Sequence, residues 1–274
     1  MSALHAPSSR ATLPGLLPHV NLIRELVRRD VRERYSGSIL GMVWALLTPI
    51  VLITIYSIVF GAVFGSRIPG MEKSGTFAFG VYLYSGLLVY TIFGEVLGRS
   101  PTLIWSHPSY VKKVVFPLEV LPMVVLVSAL VHSVLPFAVL ILAMFLVLGS
   151  VPATALLYPL IVMLMLPMLM GFAWAIAALG AYVRDLGQVI ALMLTVLMFL
   201  SPIFFPISKF PAWIQPFVRL NPICIPIELC NAALFGSPAP PMSALVVYVA
   251  ASAALFFAGW KVFQVFRDGF ADVI

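Results

Sequence analysis

Charge is what this sequence has least of: sixteen basic and ten acidic side chains make up 9% of its 274 residues, where a soluble domain carries about 25%. So few ionised groups cannot keep a globular surface hydrated, which excludes a water-soluble domain. With 62% hydrophobic residues and a mean hydropathy of +1.10, the chain is an integral membrane protein. The net charge of +6 does not imply nucleic acid, because the basic residues flank apolar runs, where they meet anionic headgroups and set orientation.

Other absences remove whole classes of chemistry. Four histidines and two cysteines offer no ligand spacing for zinc. Cys224 and Cys230, six apart, would lie on different faces of a shared helix, out of reach of a disulfide, although their oxidation state stays open. A phosphate-cradling G-x-x-x-x-G-K-[ST] loop is missing. The nearest glycine pair, Gly61 and Gly65 in GAVFG, is followed by Ser66 and Arg67, and it reads as close helix packing or as chance in a glycine-tolerant span. A membrane-embedded glycan-modifying enzyme would need a paired acid and base or a metal, and neither is present. A secondary transporter or channel would carry intramembrane charges. Here the candidates are His132, read as a hydrogen-bonded structural histidine before a proton relay, and Glu95 and Glu119, read as partners for nearby Lys and Arg.

What the chain does have is apolar runs. A bilayer-crossing helix needs about 20 apolar residues, and six runs meet that template: residues 39–65, 77–98, 118–148, 153–182, 189–205 and 243–266. The first is longer than the hydrophobic part of a signal peptide and is expected to stay in the mature protein. With both termini on one side, that side receives twelve of the sixteen Lys and Arg, and the other only Arg67, Lys73, Lys209 and Arg219. The positive-inside rule then puts both termini in the cytoplasm.

Ahead of the first run, residues 19–35 place Val20, Ile23, Val27 and Val31 at spacings of three and four, opposite a row of Arg24, Arg28 and Arg32. This predicts an amphipathic helix lying in the membrane interface. Glu25 with Arg29, Arg29 with Glu33, and Asp30 with Arg34 are each four apart and suited to pairing along that helix. Residues 206–238 are too apolar for a solvated loop and too rich in proline for a straight span, so short helices dipping back into the outer leaflet are expected. The inner loop GRSPTLIWSHPSYVKKVVFPLEVLP joins amphipathic material, two lysines and bracketing prolines. It suits docking of another protein, or serves as a plain basic connector.

Several of these stretches resemble a known family. In LIRELVRRDVRERYSGSILGMVWALLTPI, the residues Arg29, Asp30, Arg34, Tyr35, Leu40, Gly41, Trp44 and Pro49 are similar to the N-terminal signature of the permease subunits of type 2 ABC exporters for bacterial polysaccharide. YVKKVVFPLEVLP, YVRDLGQ, and SPIFFP followed by NP are similar to that family's later loops. Related permeases often carry an Arg shortly after NP, where this chain has ELCNAALFG with Asn231.

The resemblance implies an all-α integral membrane protein with six transmembrane helices, an N-terminal interfacial helix and a re-entrant periplasmic segment. It further implies a homodimer in the bacterial inner membrane that exports a lipid-linked glycan such as O-antigen. This chain would hold no cofactor, and two copies of a cytoplasmic ABC ATPase would bind ATP and Mg²⁺. Arg28, Arg29, Arg32 and Arg34 become the candidates for meeting the lipid headgroup at the cytoplasmic threshold. Lys112, Lys113, Arg184 and Asp185 become candidates for coupling to the ATPase, and Tyr56, Phe60, Tyr82 and Phe199 for lining the channel.

Overall fold

The computed structural model describes residues 19–36, 41, 43–68, 75–111 and 116–273, and their regular structure is helical. Helix α1 (Val20–Tyr35) lies ahead of α2 (Val43–Tyr56), which runs on into a wider-wound segment, Ser57–Val63. Next come α3 (Thr76–Arg99), the single-turn α4 (Pro108–Val111), α5 (Val120–Leu148), α6 (Tyr158–Tyr182) and α7 (Leu186–Phe199). The chain finishes with α8 (Gln215–Leu220), α9 (Cys224–Phe235), α10 (Met242–Arg267) and α11 (Phe270–Val273).

Five helical segments are long and apolar enough to cross a membrane: 43–63, 76–102, 120–148, 153–182 and 242–267. The run at 189–205, the fifth of the six apolar runs, holds a shorter helix than these five. Helix α7 has 14 residues, about 21 Å at 1.5 Å per residue, against a hydrocarbon core of about 30 Å. The stop has a visible cause. The Asn221 amide donates from Nδ2 to the carbonyls of Leu197 and Leu200, each at 2.8 Å, satisfying groups that the end of a helix leaves open. The chain then turns, and in 206–238 it forms α8 and α9.

Helix α3 is the hub. Every residue from Ala78 to Tyr90 is buried, and the helix touches α2, α5, α6, α7 and α9. By contrast α2, α5, α7 and α10 turn long apolar faces outward, including Leu142, Phe145, Leu192 and Val247, as lipid-facing helices do. Without a hydrophobic drive between helices in lipid, contact depends on small residues that let backbones approach. A Cβ on Gly80 would stand 2.0 Å from Ser57 Oγ, and one on Gly61 would stand 2.3 Å from the Thr76 carbonyl oxygen. Gly61 is therefore a packing glycine, whereas Gly65, with φ +63° and open space around it, serves a turn.

A close backbone approach joins α6 and α10. A Cβ on Gly259 would lie 2.0 Å from the Gly171 carbonyl oxygen, and one on Gly171 would lie 2.3 Å from that of Leu255. Both obstacles are backbone, so the helices must part. Gly259→Ala is expected to destabilise the folded chain by about 1–3 kcal/mol. Ala251→Leu, on the exposed face of α10, should leave thermal unfolding in detergent unchanged. Equal melting of the two variants would show that this crossing does not hold the bundle.

Candidate functional site

One end of the bundle collects the charge. The C-terminal turns of α1, α3, α6 and α10 and the N-terminal turns of α5 and α7 meet there, linked by side chains. Arg99 of α3 grips Asp30 of α1 with both arms of its guanidinium, NH1 to Oδ2 at 3.0 Å and NH2 to Oδ1 at 2.5 Å. Such two-pronged pairs combine strength with fixed orientation. Burial by itself would raise the Asp30 carboxyl, but the hydrogen bonds and positive charge of Arg99 prevail and hold it below the usual 3.8.

Glu95, one helical turn before Arg99, is the centre of a second group. Its Oε1 accepts from Arg34 of α1, lies 3.4 Å from Arg99 NH1, and is 3.1 Å from Nδ1 of His132 on α5. Arg34 NH1 is also 2.6 Å from that same Nδ1. The spacing of four that suggested an Asp30 to Arg34 pair along α1 is therefore overruled. Each residue finds its opposite charge on α3, where partial burial strengthens the pairing, and only Arg29 with Glu33, at 3.3 Å, keeps an exposed pairing along the helix.

Two cavities open around this network. The outer one, about 660 Å³, is lined by Asp30, Glu33, Arg34, Tyr90, Glu95 and Arg99 among others. The inner one, about 510 Å³, shares Arg34, Tyr90, Thr91 and Glu95 with it and then turns apolar and aromatic, along Trp44, Leu52, Tyr56, Tyr84, Leu87 and Leu88. A guanidinium and a carboxylate thus stand at the mouth of a cleft whose far part suits hydrocarbon or the C–H faces of sugar rings. Among the described residues no group of three or more His, Cys, Asp or Glu is placed to hold a metal ion.

The sequence profile of the ABC-2 type transporter family matches residues 21–235, which takes in all but the first residue of α1, the helices on through α9 and the whole of this cleft. The chain belongs to that family. Within it, the chain is 28% identical to the O-antigen export system permease protein RfbA of Myxococcus xanthus, over 94% of this chain and 97% of that one. It is 23% identical to a Klebsiella pneumoniae protein of the same name, over 74% and 76%. With the polysialic acid transport protein KpsM of Escherichia coli it shares 24% identity, over 77% and 80%.

On this ABC-2 family scaffold the predicted residues take different places. Arg28, Arg29, Arg32 and Arg34 are all exposed, but of the four it is Arg34 that lines both cavities, while Arg29 turns toward Glu33 and the Tyr110 ring. Lys112 and Lys113 lie outside the described residues. The Arg184 guanidinium stands 4.8 Å over the Trp105 ring, and Trp105 Nε1 donates to the Gly180 carbonyl at 3.0 Å. The loop after α3 and the loop after α6 are thereby tied together. Asp185 is exposed at the start of α7, its carbonyl accepting from Gln188 at 3.0 Å.

Of the aromatics proposed to line a channel, Tyr56 reaches the inner cavity. Phe60 instead packs in an aromatic row with Phe79 and Phe204. Phe199 is exposed and stacks on Phe204 at 5.6 Å. Tyr82 sits in the core, 4% exposed, with its hydroxyl accepting from Asn231 Nδ2 at 3.2 Å and its ring against Phe235. As placed here it supports packing between α3 and α9. Cys224 and Cys230 are buried free thiols.

The residues that sequence reading assigned no place in the site are Arg99 and the capping Asn221. The Glu95 and Arg99 spacing of four at the end of a span was the available signal for the first, and NP for the second.

Proposed function

We propose that this chain is the permease subunit of an ABC exporter that carries lipid-linked polysaccharide, such as O-antigen, across the bacterial inner membrane. Two copies form one path, and a separate cytoplasmic ATPase subunit beneath each binds ATP and Mg²⁺ and supplies the energy. Both termini face the cytoplasm. The observation that carries this reading is the cleft: a basic mouth held under an interfacial helix, opening into an apolar and aromatic interior, in a chain whose relatives carry the names of O-antigen and polysialic acid transport proteins. A lipid-linked glycan has the matching parts, a phosphate-bearing head, an apolar chain and sugar rings. The loop bearing Trp105, Lys112 and Lys113, with Arg184 over the Trp105 ring and Asp185 next to Arg184 in the chain, is the part of the chain that meets the ATPase.

The test is purification of the tagged chain from its native membrane. A nucleotide-binding subunit is expected to accompany it, and the complex should hydrolyse ATP while the isolated chain does not, since it has no phosphate-cradling loop. Saturable, magnesium-dependent hydrolysis by the isolated chain would overturn the reading. So would unchanged surface glycan in cells lacking the chain.

A further inference from the structure

We propose that Glu95 is a built-in counter-anion, holding on Arg34 the place that the phosphate of an amphiphilic anion takes during transport, and that His132 receives Glu95 when it is displaced. The ligand class rests on the exporter reading above. The exchange is an addition to it.

Arg34 supplies the first observation. Among the described residues its contacts all use NH1, and the side chain is 47% exposed at the junction of the two cavities. The planar fork can therefore meet a phosphate on its open edge. An anion arriving there competes with Glu95 for the same guanidinium charge, and the two like charges repel.

His132 supplies the second. Its Nδ1 is 2.6 Å from Arg34 NH1, a donor, and 3.1 Å from Glu95 Oε1, an acceptor. A ring nitrogen has a single in-plane position that holds either a lone pair or a proton. With the lone pair, Nδ1 accepts from Arg34 and faces Glu95 unfavourably; with the proton, it donates to Glu95 and faces Arg34 unfavourably. The cluster thus has two hydrogen-bonded arrangements, one with Arg34 engaged by the protein and one with Arg34 released. A ligand shifts such an equilibrium by its unequal affinity for the two states, and an anion binds the second more tightly.

The remaining charges allow the exchange. Arg99 NH1 stays 3.4 Å from Glu95 and both its arms hold Asp30, so Glu95 does not become an uncompensated carboxylate when Arg34 leaves. Helix α1, previously tied to α3 by Arg34 and by Asp30, is then tied by Asp30 alone. The inner cavity, with Trp44, Leu52 and Leu87, takes the apolar chain.

The experiment measures binding of farnesyl pyrophosphate to the full chain in nanodiscs, with farnesol and dioleoyl phosphatidic acid as parallel ligands. Glu95→Gln should bind farnesyl pyrophosphate about tenfold more tightly than wild type. Glu95→Asp, which keeps the charge but draws it back by one methylene, should shift the same way by a smaller factor. His132→Leu should bind about tenfold more weakly, and Arg34→Gln should abolish the gain in the double variant with Glu95→Gln. Farnesol should not respond to any of these changes. A response to phosphatidic acid equal to that for the pyrophosphate would support the same exchange with an ordinary phospholipid as the anion.

If the monodisperse Glu95 variants bind neither anion more tightly than wild type, the exchange is wrong. That result in a chain that still co-purifies with an ATPase leaves the exporter reading standing. Absence of both ATPase and anion binding removes the two together.

Discussion

Replacing Arg267 by methionine should destabilise the permease by about 3–5 kcal/mol, the largest stability effect expected of any single charged residue in the bundle. Arg267 closes α10, and its NH1 lies 2.5 Å from Oε1 of Glu119 at the start of α5. Glu119 is 0% exposed, and Gln264 Nε2 donates to the same oxygen at 2.8 Å. Removing the guanidinium strands a carboxylate away from water, and the cost is that of an unpaired buried charge. Glu119 also offers its backbone carbonyl to Trp174 Nε1 at 3.1 Å, so a displaced Glu119 disturbs α6 as well.

Neutralising both partners is far milder than removing one. Glu119→Gln combined with Arg267→Met is therefore expected to recover most of the lost stability. The measurement is thermal unfolding in detergent followed by size-exclusion chromatography, with the exposed Lys261→Met on the same helix as reference. If Arg267→Met melts together with Lys261→Met, the pair does not secure the end of the bundle.

The largest functional effect is expected at Arg34. Its guanidinium stands at the cleft mouth, whereas Arg28 and Arg32 lie on the exposed side of α1 and Arg29 pairs with Glu33. A lysine keeps the charge but loses the planar fork. One hydrogen bond to a charged group is worth about 1.5–3 kcal/mol, so Arg34→Lys should reduce glycan export by about ten- to a hundredfold.

The same change at Arg28, Arg29 or Arg32 should cost less than about twofold, since attraction to anionic lipid, about 1 kcal/mol per residue, serves Lys and Arg alike. Surface glycan is compared among the four variants after membrane insertion and complex assembly are verified. Equal export by all four would make the whole row a lipid anchor and leave the cleft mouth without a role.

Much of this protein is decided by its sequence alone. Scarce charge and long apolar runs require a helical membrane protein, because in lipid the backbone must satisfy its own hydrogen bonds. The spacing of Val20, Ile23, Val27 and Val31 specifies an amphipathic α1, in which Val27 is buried, Ile23 and Val31 pack partly against the core and Val20 is exposed. These properties are local, set by neighbours within a turn or two, and so they are legible from composition and period.

Tertiary structure decided what depends on residues far apart in the chain. Asp30 and Arg34, suited by spacing to each other, are drawn to Arg99 and Glu95, 69 and 61 positions away, because packing α1 on the bundle offers less exposed partners than its own surface does. The apolar run beginning at 189 is cut short by Asn221, whose amide reaches carbonyls 24 and 21 positions earlier in the chain. Tyr82 and Tyr56 are alike as letters in apolar helices, yet one is enclosed by α9 and the other borders a cavity. Composition and period state which residues leave water; which of them meet one another, and which face an opening, is fixed only when the helices are packed.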